Sequence, residues 1–154
     1  MKPIKLCFCA SSGGHYWELL QLSELAQKYD SFLITEKTEF NIEPFCKNFY
    51  LTDALNRKSW NFLFKLLVTT FCIFKILLKE KPAVIISTGA LVTFPIMLIG
   101  KCMNAKIIYV ESFVRVDSKS LTGKLIHPFV DLFIVQWRKA LKVYPRAIFG
   151  GQIY

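Results

Sequence analysis

Short apolar runs recur along the chain, each closed by glycine, hydroxyl or charged residues, and most lead into a stretch with helical spacing. Residues 4–10, 31–35, 48–52, 83–86, 105–110 and 131–135 have the length and the β-branched or aromatic content of strands. After the first run, Trp17, Leu19, Leu20, Leu22 and Leu25 recur as one buried helical face that should end near Tyr29 and Asp30. A second helical pattern runs from the Ser87–Ala90 turn through Met97 and Ile99, with Pro95 in its first turn or two. Residues 36–44 are polar and read as a loop, and residues 147–149 as a short strand in an otherwise weakly patterned tail. Strands that alternate with helices pair in parallel through right-handed crossovers, so the pattern predicts an α/β fold with a Rossmann-like parallel sheet.

Residues 60–79 are the most apolar stretch and need a separate account. At about 100° per residue, Asn61, Lys65, Thr69, Cys72, Lys75 and Lys79 gather within roughly a third of a helical wheel. Leu, Phe, Ile and Val fill the rest, including Phe64, Leu67, Phe71, Phe74 and Leu78, with Trp60 at the start. A surface helix of a soluble domain needs a narrower apolar stripe. A lysine at the centre of a bilayer costs about 2.5–3.5 kcal/mol, so crossing is disfavoured, whereas a broad apolar face edged by lysines suits a helix lying in the membrane interface. Burial of this face against a partner or a second subunit, and an ordinary core helix, are the alternatives.

Candidate chemistry concentrates where strands meet helices. Ser12, Gly13, Gly14 and His15 join the first strand to the first helix, and Ser87, Thr88 and Gly89 stand at the corresponding edge of the fourth. Such turns present backbone N–H groups to an anion, although neither G-x-G-x-x-G nor a Walker-type loop is present, and a plain helix cap by Ser87 or Thr88 is locally as good an account. Ligands of parallel sheets sit at the carboxyl ends of the strands, where both turns lie. Glu111 leaves a buried strand at that same edge, as a candidate base or as the local partner of Arg115 or Arg138. Arg115, Lys119 and Lys124, set among Ser112, Ser118, Ser120 and Thr122, compose a loop suited to phosphate.

The length of 154 residues bounds the chain to a single domain, residues 1–154. Twenty Lys and Arg against 11 Asp and Glu give a net charge of +9 on a chain that is 53% hydrophobic, a balance that favours an anionic membrane surface. Nucleic acid fits less well, for the basic residues flank apolar stretches and no reader motif is present. Five cysteines, an odd number lying mostly within apolar runs, read as buried thiols of a reducing compartment. Cys7 and Cys9 are expected on opposite sides of their strand, and no metal site is predicted.

Taken together, Ser12-Gly-Gly-His15 with Glu18, Ser87-Thr-Gly-Ala90 with Pro95, Glu111-Ser-Phe-x-Arg115, Ser120-Leu-Thr-Gly-Lys124, Asp131 and Gln136-Trp137 resemble one family. It is the membrane-associated subunit of two-part glycosyltransferases, known from bacterial capsule and exopolysaccharide assembly and from the eukaryotic dolichol-linked GlcNAc transferase. The resemblance implies the N-terminal half of a GT-B glycosyltransferase supplied as its own chain. A small cytosolic partner would bring the nucleotide-sugar-binding half. This chain would bind the lipid-pyrophosphate saccharide acceptor at the cytoplasmic face of the cell membrane, as a peripheral or monotopic protein without a cofactor. Eukaryotic members carry an N-terminal membrane segment that is missing from the pattern here, which leaves residues 60–79 as the expected anchor.

Within that frame the helix dipole disfavours a cationic His15, and a neutral imidazole can take the proton of an acceptor hydroxyl. His15 is therefore the expected base or positioning group, Glu18, one turn on, is expected to orient His15 or simply to interact with the helix N-terminus, and Glu111 is the rival base. Ser12, Gly13, Gly14, Ser87, Thr88, Gly89, Arg115 and Lys124 are the expected acceptor and phosphate contacts. Two other readings stand beside this one: a non-catalytic scaffold that enhances the partner transferase, and a free-standing nucleotide-binding domain.

Overall fold

A computed structural model describes residues 4–37, 44–53 and 59–153. The elements are β1 Lys5–Ala10, α1 Gly14–Leu20, α2 Ser23–Lys28, β2 Asp30–Glu36, β3 Asn48–Thr52, α3 Phe62–Glu80, β4 Val84–Gly89, α4 Thr93–Cys102, β5 Lys106–Val110, α5 Leu121–Ile126, β6 Leu132–Val135 and β7 Ile148–Phe149. They form one seven-stranded sheet in the order β3-β2-β1-β4-β5-β6-β7, every adjacent pair parallel. This is the α/β, Rossmann-like sheet predicted from the alternation. The order reverses between β1 and β4, and a crevice at the carboxyl ends of such a pair is where ligands of open parallel sheets bind.

Each face of the sheet carries its own apolar cluster. Cys7, Cys9, Phe32, Ile34, Ile85, Ile107 and Tyr109 pack under Ile73 and Leu77 of α3 and Ile96 and Met97 of α4. Phe8, Leu33 and Ile86 pack on the other side with Tyr16 and Leu19 of α1. Cys7 and Cys9 thus share one face, correcting their expected placement on opposite sides: residues two apart in a strand point the same way.

Other expectations are corrected locally. The first helix is broken, because α1 ends at Leu20 and α2 begins at Ser23, and Trp17 faces outward while Tyr16, Glu18 and Leu19 are buried. The polar loop expected over residues 36–44 is described only at its ends, residues 38–43 lying outside the described residues. Lys124 belongs to a short helix, not a loop; its N-cap is Ser120, whose Oγ accepts from Gly123 N at 2.9 Å.

Helix α3 has two apolar faces. Thr69, Ile73, Leu77 and Glu80 turn inward, so Thr69 leaves the polar stripe to which the wheel assigned it. Leu63, Phe64, Leu67, Phe71, Phe74 and Leu78 turn outward, and Trp60, just before the helix, is 97% exposed. The far end of the helix is clamped: Glu80 accepts from Lys5 Nζ of β1 at 2.6 Å and from the Tyr50 hydroxyl of β3.

Candidate functional site

At the strand-order reversal, the pairing of β1 with β4 runs Cys9 to Ser87 and then Ala10 to Gly89, skipping Thr88. A residue skipped by the ladder has its polar groups available to other partners. The Thr88 carbonyl accepts from His15 Nδ1 at 2.9 Å, and the Thr88 hydroxyl donates to the His15 carbonyl at 2.6 Å. A carbonyl oxygen can only accept, so Nδ1 carries the proton and Nε2 is the lone-pair nitrogen of the neutral ring. Gly89 has φ +120°, and a Cβ there would lie 3.1 Å from His15 Cε1 and from the Tyr109 hydroxyl. Glycine is required both for the backbone turn and for the approach of the ring.

Two cavities meet at His15. One, of about 560 Å³, is lined by Gly14, His15, Glu18, Ser112, Phe113 and Val114. The other, of about 430 Å³, is the more polar: Ser11, His15, Glu36, Tyr109, Arg115, Ser120 and Thr122 line it together with Ala90, Leu91, Val92 and Leu121. The His15 side chain is 31% exposed between them.

Glu18 is the buried carboxyl of the first cavity. Its Oε1 accepts from Ser112 Oγ at 2.9 Å and Phe113 N at 2.8 Å, while its buried Oε2 has no hydrogen-bond partner and lies 3.9 Å from His15 Nδ1. Burial pushes the Glu18 carboxyl upward; the bonds from Phe113 and Ser112 and the nearby His15 work in the opposite direction, and Glu111 adds to the rise.

The structure gives Glu111 a different task from the one expected. Its Oε1 accepts from Ser112 N at 3.0 Å, and its Oε2 from the Tyr144 hydroxyl at 2.5 Å and Ser120 Oγ at 3.0 Å. Glu111 is 1% exposed, lines neither cavity and pairs with neither Arg115 nor Arg138, so its role as rival base is corrected to that of a buried brace. Burial, and then the Glu111 carboxylate, drive the Tyr144 hydroxyl well above its usual range and keep it a donor. A Cβ on Gly123 would come within 2.3 Å of both Glu111 Oε2 and the Tyr144 hydroxyl, which explains a glycine inside α5. Gln136 Nε2 donates to the Glu111 carbonyl at 3.1 Å, and Trp137 Nε1 to the Phe113 carbonyl at 2.6 Å. The motifs at Glu111–Phe113, Ser120–Gly123 and Gln136–Trp137 are thus one network behind the Glu18 cavity.

The remaining candidates divide. Gly14, His15, Glu18 and Arg115 line a cavity, and Thr88 and Gly89 build the seat of His15. Gly13 has φ +87° and supplies the bend into α1, its carbonyl accepting from Tyr16 N and Trp17 N. Ser87 Oγ accepts from Gly89 N at 3.1 Å, a structural contact. Ser12 and Lys124 line neither cavity, and Lys124 is exposed on α5. Sequence reasoning missed Tyr109 and Tyr144, which carry no local motif. Among the described residues no cluster of His, Cys, Asp or Glu could hold a metal ion.

The family model described as "Oligosaccharide biosynthesis protein Alg14 like" matches residues 46–153. A mouse protein named UDP-N-acetylglucosamine transferase subunit ALG14 is 29% identical over 99% of this chain and 84% of its own length. A protein of the same name from Candida albicans is 43% identical over 49% of this chain, covering 37% of its own length. Among solved structures, Acinetobacter baumannii MurG matches 89% of this chain with a TM-score of 0.68 at 16% identity. The Staphylococcus aureus MnaA–UDP structure matches 97% with a TM-score of 0.74 at 14% identity. This chain covers only 43% of the MurG chain and 44% of the MnaA chain. At such identities the likeness is one of fold: the seven-stranded sheet corresponds to less than half of each of those larger proteins.

Proposed function

The chain belongs to the Alg14-like family of oligosaccharide biosynthesis proteins, and from that premise we propose that it is the acceptor-binding subunit of a two-chain glycosyltransferase working at a membrane surface. It supplies the N-terminal, acceptor-side half of a GT-B enzyme, and a small cytosolic partner supplies the half that holds the nucleotide sugar. The relatives' names, each a transferase subunit, support a site completed by another chain.

The observation that carries the reading is His15 at the reversal of strand order, with its Nδ1 proton committed to the Thr88 carbonyl. In the proposed reaction an acceptor hydroxyl gives its proton to Nε2 while its oxygen forms a bond to the anomeric carbon of the donor sugar. The bond from that carbon to the nucleotide diphosphate breaks, and the diphosphate leaves with the electron pair. Arg115, with Thr122 in the polar cavity, is suited to the pyrophosphate of a lipid-linked acceptor by charge and by a hydroxyl donor, while the Ser120 hydroxyl is committed to Glu111. Gly14 lines the first cavity with open space beside it, a Cβ there meeting nothing within 4 Å.

The outward face of α3 meets the bilayer. Leu63, Phe64, Leu67, Phe71, Phe74 and Leu78 would enter the interface, Trp60 would mark its edge, and Lys65, Lys75 and Lys79 would face anionic headgroups. No helix among the described residues is long and apolar enough to cross a membrane; the family resemblance supports the cytoplasmic side as the side of attachment. The motif resemblance supports capsule or exopolysaccharide assembly as the setting.

The test is reconstitution with the product of a small neighbouring gene and transfer of a radiolabelled sugar to a lipid-pyrophosphate saccharide. His15→Ala is expected to lower turnover by about 10²–10⁴-fold, the usual contribution of a general base, with the complex intact. Unchanged turnover by an intact complex would reduce this chain to a non-catalytic scaffold. Tight nucleotide binding by this chain alone would favour a free-standing nucleotide-binding domain.

A further inference from the structure

The arrangement of His15, Thr88 and Glu18 separates two tasks usually joined in one residue. In a hydroxyl-activating pair of histidine and carboxylate, the carboxylate both fixes the ring's tautomer and faces the positive ring formed after proton transfer. Here the tautomer is fixed by an uncharged group, the Thr88 carbonyl, at 2.9 Å from Nδ1. The Glu18 carboxyl is held through Oε1 by Ser112 Oγ and Phe113 N, and its Oε2, buried and without a partner, lies 3.9 Å from the same nitrogen. The Glu18 side chain is 4% exposed, so neither water nor a mobile cation competes at that oxygen. A buried carboxylate oxygen without a donor is costly to keep, and its place beside a titratable ring gives it a use.

We propose that Glu18 is a positioning residue for His15, its Oε2 being the group that balances the charge of the His15 ring once Nε2 has taken a proton. The step rests on the base role of His15 given above. When the acceptor O–H bond breaks, the proton goes to Nε2 and the oxygen keeps the electron pair for the new bond to the donor sugar; the ring becomes an imidazolium with N–H at both nitrogens. The Nδ1 proton, held by Thr88 in the neutral ring, then lies between the Thr88 carbonyl and Glu18 Oε2. A small ring rotation shares it between them without breaking the Ser112 and Phe113 contacts. Release of the Nε2 proton to water restores the starting ring.

The charged and titratable groups around His15 are few. Glu18 lies on its own helix and Glu111 stands behind Glu18; Tyr109 comes from β5, and Glu36 and Arg115 line the polar cavity with the ring. Among them Glu18 is the carboxyl within 4 Å of the ring. Tyr109, raised well above its usual range chiefly by burial, remains neutral.

Glu18→Gln keeps an oxygen for Ser112 and Phe113 and removes only the charge. The His15 ring is followed by NMR against pH in the full chain, which needs neither partner nor substrate. The expected result is a midpoint about one pH unit lower in Glu18→Gln, a tenfold loss of proton affinity, with the Nδ1–H tautomer retained. Glu18→Asp, which withdraws the carboxylate by one methylene, should fall between the two and serves if the Gln variant folds poorly. In the reconstituted pair, Glu18→Gln should slow transfer at least tenfold but add nothing to His15→Ala. An unchanged His15 midpoint in both variants, or equal slowing in the presence and absence of His15, would overturn the proposal. Full activity of His15→Ala would instead overturn the base role while leaving the NMR outcome readable.

Discussion

Replacing Leu67 and Phe71 by aspartate probes the outward apolar face of α3, proposed above to meet the membrane, without touching its packed side. The two side chains are 69% and 58% exposed, a turn apart on the outward face, whereas Thr69, Ile73 and Leu77 hold the helix to the sheet. Full burial of a Leu or Phe side chain yields about 1.5–3 kcal/mol, so the exposed parts of these two contribute about 2–4 kcal/mol together on entering an interface. Each introduced carboxylate also meets the anionic headgroups that Lys65, Lys75 and Lys79 would attract, at about 1 kcal/mol per basic residue. The double variant should therefore lose at least about thirtyfold in partitioning to vesicles containing anionic lipid, measured by co-sedimentation. Raising the salt should weaken the wild type further, since the lysine contribution is screened. Unchanged partitioning by a variant that keeps its circular dichroism and melting temperature would refute the membrane assignment and leave this face to a protein partner.

Four further substitutions test contacts elsewhere in the structure. Tyr144→Phe removes a donor from Glu111 Oε2 and should cost about 1–3 kcal/mol in urea denaturation, while Gly123→Ala should cost at least as much because its Cβ has no room. Asp131 accepts from Lys101 Nζ, Lys106 Nζ and Ile107 N, and the Lys101 bond, followed by that from Ile107, holds its carboxyl far below the usual carboxylate range. Its contribution is fully present above the unfolded value of about 3.9 and fades as the pH falls toward the folded one, so Asp131→Asn should destabilise at neutral pH and lose that deficit in acid melts. Arg115→Ala should raise KM for a lipid-pyrophosphate acceptor about tenfold or more while leaving vesicle binding intact, since Arg115 lines the polar cavity away from α3.

The sheet could be read from the chain because its central strands β1, β2 and β4 are buried on both faces and appear as apolar runs. The ligand edge could be read because glycines fall where strands end. Three things were out of reach for physical reasons. The inward side of α3 depends on what packs against it, and a helix that is apolar on most of its circumference gives no sign that Thr69 and Glu80 will be the polar residues turned inward. The function of Glu111 depends on Tyr144, 33 residues away in sequence and joined to it only when the tail folds back behind β5 and β6. The seat of His15 depends on a break in ladder register at Thr88, and nothing in Ser87-Thr-Gly marks which carbonyl the ladder will release. The place of His15 and Glu18 after the first glycine turn is legible in the sequence; the bond from Nδ1 to the Thr88 carbonyl and the approach of Glu18 Oε2 to the same nitrogen are not.

The clamp at the end of α3 determines how the helix and the strands can move. Glu80 ties the last turn to Lys5 at the start of β1 and to Tyr50 in β3, and Lys79 Nζ lies 3.2 Å from the same tyrosine hydroxyl. The strand that begins at Lys5 ends just before the turn into α1, whose first turn carries His15. A helix resting on lipid would therefore act as a fixed strut: the height of His15 above the headgroups would be set by the length of a rigid strand. Such a site measures its substrate from the bilayer upward, and an acceptor hydroxyl presented one sugar too high or too low would miss the base.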